Sequence, residues 1–247
     1  MHRFLYLHIP KTGGVTFRNI IENAVQADRI LHLKDSNGLM KCDEEELRRY
    51  DFIHGHLGLS QVPNTLNHKQ ITTLRNPIER CISTYAFWRS QDPDRLGWSN
   101  EGASKIRAAR ELELVDLVES KDFAISESFN NMQTRFLSGA PRRETELDRS
   151  HLQRAIENLS RMDFYAINSR LEESIDIFCF KFGLFRPHTI HRLNTSEHPK
   201  KISTETIERL QIQNELDMEL VTWAECNFAS QMSNISALMP ESLHLPT

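Results

Sequence analysis

Apolar runs and apolar faces alternate along the first third of the chain. Residues 3–9 (Arg-Phe-Leu-Tyr-Leu-His-Ile) are a nearly unbroken apolar run ended by Pro10, which predicts a short buried strand. Phe17, Ile20, Ile21, Ala24 and Val25 then recur at the spacing of one helical face. Pro10 to Gly14 is therefore a tight strand-to-helix loop. Asp51 to His56 reads as a second strand that stops among Gly55 and Gly58. Gln70 to Leu74, rich in β-branched residues, reads as a third. Pro77 stands where a first helical residue belongs, and Ile78, Cys81, Ile82, Tyr85 and Ala86 continue at helical spacing. Residues 70–89 thus form a second strand–loop–helix unit.

Beyond it the pattern turns helical. Residues 41–49 are charged and read as surface, and residues 90–104 read as a binding loop or mobile lid. Helices are expected at 105–119, 122–137, 148–160 and 171–182, the last capped by Gly183, with a break around Gly139 and Pro141. Phe164 to Ile167 reads as a strand. Residues 186–202 are irregular and basic, and Ser203 is placed to cap a helix running to about 226. Strands alternating with helices predict an α/β three-layer sandwich with a central parallel sheet of four or five strands. We expect one domain over 1–247: strand–loop–helix units in 1–90, a helix-rich packing region in 91–230 and a tail in 231–247.

Composition narrows the classes. At 39% hydrophobic and 26% charged residues, the 247-residue chain is globular rather than collagen-like or disordered. Its net charge of −4 is not that of a non-specific nucleic-acid binder, so no nucleic-acid partner is expected. Cys42, Cys81, Cys179 and Cys226 are scattered with no CxxC pair, which reads as buried thiols rather than disulfides or a zinc knuckle. No apolar run approaches the ~20 residues of a membrane helix, and the short apolar start reads as too short for a signal-peptide core. The expected location is cytoplasmic.

The sharpest chemistry lies in His8-Ile-Pro-Lys-Thr-Gly-Gly-Val-Thr-Phe17. A loop between a strand and a helix N-terminus presents backbone N–H groups, and the helix dipole favours a phosphate or sulfate there. Gly13 and Gly14 let the main chain come close to an anion, Lys11 adds a charge, and Thr12 and Thr16 add hydroxyls. The lysine precedes the glycines, so this is not the Walker GxxxxGK[ST] loop. An ordinary turn with a solvated lysine is the plain alternative. In the second unit, Arg75 at a strand end and Ser83 in the following helix can converge on one phosphate. The plain alternative pairs Arg75 with a carboxylate.

Phe52-Ile-His54-Gly-His56 offers a proton acceptor. Residues two apart on a strand face one way, so His54 and His56 point together. A metal reading needs a third ligand, for which His8 is the candidate. Two satisfied histidines at a sheet end is the plain reading. Glu79 is a weaker alternative base, more simply a surface charge or a partner of Arg80.

Together these motifs resemble the sulfotransferase superfamily. Pro10-Lys11-Thr12-Gly13-Gly14 is similar to its 5′-phosphosulfate loop, and Arg75-Asn-Pro-x-x-Arg80-x-x-Ser83-x-Tyr85 to its 3′-phosphate motif. The wording His-Ile-Pro-Lys-Thr-Gly-Gly is closest to carbohydrate sulfotransferases of the heparan sulfate 2-O-sulfotransferase type. Asn130-Asn-Met-Gln-Thr-Arg-Phe-Leu-Ser-Gly139 resembles a later family segment. The resemblance implies a P-loop-like sulfotransferase fold and 3′-phosphoadenosine 5′-phosphosulfate (PAPS) as donor, with no metal required. Lys11, Thr12, Gly13, Gly14, Val15 and Thr16 would hold its 5′-phosphosulfate, Arg75 and Ser83 its 3′-phosphate. The family's usual Asp is Asn76 here, with little effect expected. The matching His-Gly-His makes His56 the implied base and Lys11 the second catalytic residue, with His54 in support.

The acceptor is a hydroxyl compound, read as a glycan or small alcohol. Arg89, Arg95, Lys105, Arg107 and Arg110 can line an anionic-glycan groove, or pair with neighbours such as Glu111 and Glu113. Trp88 and Trp98 can stack on a sugar, although Trp88 equally suits the core. The basic segment from His191 to Lys201 can reach the donor. A nucleotide-dependent kinase, which would need Mg²⁺ and ATP, and a non-catalytic nucleotide-binding module are the competing readings.

Overall fold

The structure, a computed structural model, describes residues 2–33, 42–63, 65–95, 97–141, 146–189 and 201–236, with the side chains of 229–236 excepted. Its centre is an all-parallel sheet of β1 (Phe4–Leu7), β2 (Ile30–Leu33), β3 (Phe52–Gly55), β4 (Lys69–Leu74) and β5 (Phe164–Ile167), in the order β2-β3-β1-β4-β5. Every residue of β1, β3 and β5 is buried. Burial on both faces is why these strands read as continuous apolar runs rather than alternating ones.

The strand β2 was not among those expected. It is an edge strand paired only with β3, and its Ile-Leu-His-Leu carries an exposed histidine, so four residues gave too little pattern. The strand predicted over 3–9 is confined to Phe4–Leu7, with His8 making one further ladder bond to Gly55 O at 3.0 Å.

Eleven α-helices lie among the described residues: α1 (Val15–Glu22), α2 (Glu44–Leu47), α3 (Pro77–Ser90), α4 (Asn100–Glu111), α5 (Leu114–Val118), α6 (Phe123–Ser126), α7 (Met132–Ser138), α8 (Arg149–Arg161), α9 (Leu171–Phe182), α10 (Thr204–Gln213) and α11 (Glu215–Ser236). Both sheet faces are covered. On one, Phe17 of α1 and Phe178 of α9 stand 5.4 Å apart between ring centroids and pack with Phe4 and Phe164. On the other, the Tyr165 hydroxyl donates to Ala224 O at 3.2 Å and its ring meets Phe228 of α11. Alternate residues of β5 thus feed opposite layers.

Several helix boundaries differ from expectation. The region read as a lid at 90–104 is cut short because Ser99 Oγ accepts the Gly102 N–H at 3.1 Å and starts α4 at Asn100. The helix expected at 105–119 stops at Glu111 and restarts at Leu114. That expected at 122–137 is broken at Asn131, whose φ is +41°. Ser203 does cap α10, but Asn214 interrupts the run before α11, which continues through Ser236 into the region expected to be tail. Residues 237–247 lie outside the described residues. Among the described residues no helix is long and apolar enough to cross a membrane. None of the four cysteines forms a disulfide; Cys81 and Cys179 are buried and Cys226 is exposed.

In the sheet order, the chain leaves β1 for β2 and β3 on one side, then crosses to β4 and β5 on the other. The loops that follow β1 and β4 therefore flank the switch point, where open parallel sheets bind ligands.

Candidate active site

The loop after β1 is closed by its own residues. Lys11 takes a left-handed conformation at φ +66°, and Gly13 follows at φ +92°. Thr12 is fully buried, and its hydroxyl donates to Ile9 O at 2.9 Å. That corrects one expectation: the Thr12 hydroxyl closes the loop from inside and does not face an anion. A Cβ on Gly13 would lie 2.2 Å from Asn168 Nδ2, and one on Gly14 only 1.9 Å from Tyr6 Oη. Gly14 is demanded by this packing against the fully buried Tyr6, and Gly13 by its backbone angle.

Helix α1 begins at this loop with no side-chain cap and no acidic residue in its first turn. Its first ladder bond runs from Arg18 N to Gly14 O. The N–H groups of Val15, Thr16 and Phe17 consequently have no partner within the helix, and they sit at the positive end of its dipole.

Two cations meet there. The Lys11 ammonium is half-buried, 4.3 Å above the Phe87 ring, and Arg75 Nη1 donates to Lys11 O at 3.4 Å. Burial, then the Arg75 charge, push the Lys11 pKa down to about 8. Among the described residues no carboxylate pairs with Lys11. Arg75 Nε meets the exposed Glu79 carboxylate at 3.3 Å. Glu79, Ser83 and Phe87 are spaced four apart, so they share one face of α3. Glu79 on that face meets Arg75 and Phe87 meets Lys11, and the buried Ser83 is the residue between them in the helix register. The structure thus brings Arg75 against the Lys11 main chain just ahead of α1, with Ser83 on the face of α3 that carries Glu79 and Phe87.

Two other motif residues serve the framework. Asn76 Oδ1 accepts from Ile78 N at 3.0 Å and Glu79 N at 3.2 Å, a capping role that asparagine fills as well as aspartate. Arg80 does not pair with Glu79. It is fully buried, donates to Ser128 O at 2.8 Å, and lies against the sulfurs of Met132 and Cys81.

The two histidines of β3 part company. His54 is sealed, with its ring stacked between Phe52 at 4.8 Å and His32 of β2 at 4.5 Å. Its Nε2 lies 3.4 Å from the Glu22 carboxylate without the alignment of a hydrogen bond. His56 is exposed, one ring away from His8 at 5.1 Å. Burial, then His32, push His54 down to about 3; burial, then His56, do the same to His8. Surrounding protein, then His32, lower His56 to about 4, a value its exposed edge moderates. All three imidazoles are therefore held in the neutral form near pH 7, and the same shift weakens each as a base. Only His56 of the β3 pair reaches solvent. Among the described residues no three His, Cys, Asp or Glu converge to hold a metal ion.

The basic groove expected beyond α3 is largely tied up. Arg89 donates to Tyr85 Oη, Lys105 pairs with Glu101 and Glu127, Arg107 with Asp94, and Arg110 with Gln91 O. None of these partners is Glu111 or Glu113. Arg95 is exposed. Trp88 belongs to the core, edge-on to Phe129 at 5.4 Å, whereas the exposed Trp98 stands 6.3 Å from Phe87. Of the segment 191–201, all but Lys201 lies outside the described residues.

Sequence reasoning missed Phe87, Asn168 and Gln133. Phe87 follows Ser83 by one helical turn, a spacing that could have found it. Gln133 holds the Arg75 main chain from a distant helix, its Oε1 accepting from Arg75 N at 3.0 Å and its Nε2 donating to Arg75 O at 2.9 Å.

The family model described as the sulfotransferase family matches residues 1–223. No curated relative matches the sequence.

Proposed function

We propose, for a chain that belongs to the sulfotransferase family, that it transfers a sulfuryl group from PAPS to a hydroxyl of a carbohydrate, with His56 taking the proton. The observation that carries the reading is the meeting of Lys11 and Arg75 at the uncapped start of α1. Two cations brought together beside free helical N–H groups suit a ligand with two separate anionic groups.

When bound, PAPS supplies an activated sulfuryl group on a phosphate leaving group. Lys11, with the main chain of Thr12, Gly13, Gly14, Val15 and Thr16, would hold the 5′-phosphosulfate and stabilise charge growing on the leaving phosphate oxygen. Lysine and helix N-terminus together supply positive charge there, so the reading requires no metal. Arg75 and Ser83 would hold the 3′-phosphate, which distinguishes this donor from ATP. His56, neutral at pH 7, accepts the proton that the acceptor hydroxyl loses as its oxygen gains the sulfuryl group. The exposed Trp98, beside the Phe87 ring that Lys11 covers, supports a sugar acceptor, since an indole face stacks on a pyranose.

Calorimetric titration with adenosine 3′,5′-bisphosphate (PAP), ATP and ADP, without added metal, tests the donor. Clear preference for PAP supports the reading. Preference for ATP, or no binding of any of the three, overturns it in favour of a kinase or a non-catalytic module.

A further inference from the structure

Strand β4 ends at Leu74, which pairs with Ile167 of β5, while its last partner on β1 is Leu7, opposite Thr72. Arg75 has therefore run past the sheet on both sides. Its N–H and C=O would be unsatisfied at a partly buried strand end, a costly state. The Gln133 side chain supplies both partners at once, as a neighbouring strand would, and Gln133 is fully buried.

Gln133 is itself fixed. It lies in the first turn of α7, and the Asp217 carboxylate of α11 accepts from Gln133 N at 3.0 Å and Thr134 N at 2.6 Å. Asp217 N returns a bond to Asn131 Oδ1 at 3.0 Å, and Asn131 N donates to Asn214 Oδ1 at 3.1 Å. The left-handed turn at Asn131 is what aims Gln133 at the strand end. From α3, Arg80 reaches the same network through Cys81 Sγ, to which Asn214 Nδ2 also donates.

We infer that Gln133, anchored by Asp217, is a positioning residue that fixes the Arg75 main chain so that its guanidinium is delivered to the donor's 3′-phosphate. The inference rests on the donor reading above. Arginine has many rotamers, and fixing its backbone removes part of the ordering cost of gripping one phosphate.

The test replaces Gln133 by Met, which keeps the volume and removes both hydrogen bonds. PAP and AMP, which differ only in the 3′-phosphate, are titrated calorimetrically against wild type, Gln133→Met, Arg75→Ala and the double variant. PAP should bind Gln133→Met about tenfold more weakly, with AMP unchanged, and the double variant should bind PAP no more weakly than Arg75→Ala. A merely structural glutamine would weaken PAP and AMP alike, or add its loss to that of Arg75→Ala, and either result overturns the inference. Wild type that binds PAP no better than AMP overturns the donor reading instead. Hydrogen exchange of wild-type protein needs no variant to fold: the Arg75 amide should exchange slowly, and fast exchange overturns the clamp.

Discussion

Lys11 and Arg75 stand at the ends of neighbouring parallel strands, each just before a helix, and the two ends are finished differently. After β1, the turn is closed by Thr12 on Ile9, three residues away, and α1 begins without a cap. After β4, the start of α3 is filled by Asn76, which accepts from two first-turn N–H groups, and Glu79 adds an acidic charge there. Its main chain is held by Gln133, 58 residues on. The first end offers an anion both main chain and ammonium. The second, its helix terminus already satisfied, offers side chains alone. A group whose charge changes during reaction belongs at the first end, and one that is only gripped belongs at the second.

A third strand end asks whether charge is the whole of the matter. His56→Ala should lower transfer from PAPS by about 10²–10⁴-fold while PAP affinity in calorimetry stays unchanged. Loss of PAP binding would make His56 a donor contact and enlarge the first end. His54→Ala should act through stability instead, lowering the melting temperature, because that ring is packed between Phe52 and His32.

Next in size is the contrast of the cations. Lys11→Ala should reduce kcat by about 10²–10³-fold and PAP affinity by less, as expected for a group that meets charge developing on the leaving oxygen. Arg75→Ala should do the reverse, removing most of the preference for PAP over AMP with a smaller change in kcat. The opposite pattern in steady-state kinetics and calorimetry would exchange the roles of the two ends.

The two ends also differ in how legible they are. Most of what shapes the β1 end lies between Phe4 and Val25 and shows as an apolar run, glycines and helical spacing. Even there, the inward turn of Thr12 and the Asn168 side chain that would meet a Cβ on Gly13 left no local sign. At the β4 end, Arg75, Pro77 and Ser83 were legible from the strand end and the helix register. Gln133 was not, because its partner lies 58 residues away and hydrophobic periodicity records apolar faces, not long-range polar pairs. Asn131 and Asn214 broke helices expected to be continuous for the same reason: each gives its amide to the other's segment. Alternation placed His54 and His56 on one face, but which of them is sealed was decided by His32 on β2, the strand too short to be seen.

Titration separates the cations without mutation. Lys11 has a pKa near 8 in the free protein, while an arginine stays charged throughout. A bound anion raises the lysine value, so affinity is constant below pH 8 and falls as pH rises between the free and bound values. The slope approaches about tenfold per pH unit. PAP titrated from pH 7 to 10 should show this fall in wild type and in Arg75→Ala, and Lys11→Met should lose it. A fall that persists in Lys11→Met would place the titrating group elsewhere.

The smallest expected change concerns the carboxylate at the second end. Glu79 meets Arg75 at 3.3 Å, four residues apart on an exposed face, a pairing worth at most about 1 kcal/mol. Glu79→Gln should leave kcat unchanged and tighten PAP by about twofold, because the guanidinium no longer has to exchange one anion for another. The same variant tests Glu79 as the alternative base. If it did that work, kcat would fall by at least a hundredfold, roughly the effect assigned to a general base, and His56→Ala would remain active. A kcat that holds while PAP affinity rises leaves Glu79 as a weak competitor for Arg75. The second end would then be a grip whose strength is set by the carboxylate beside it and by the glutamine behind it.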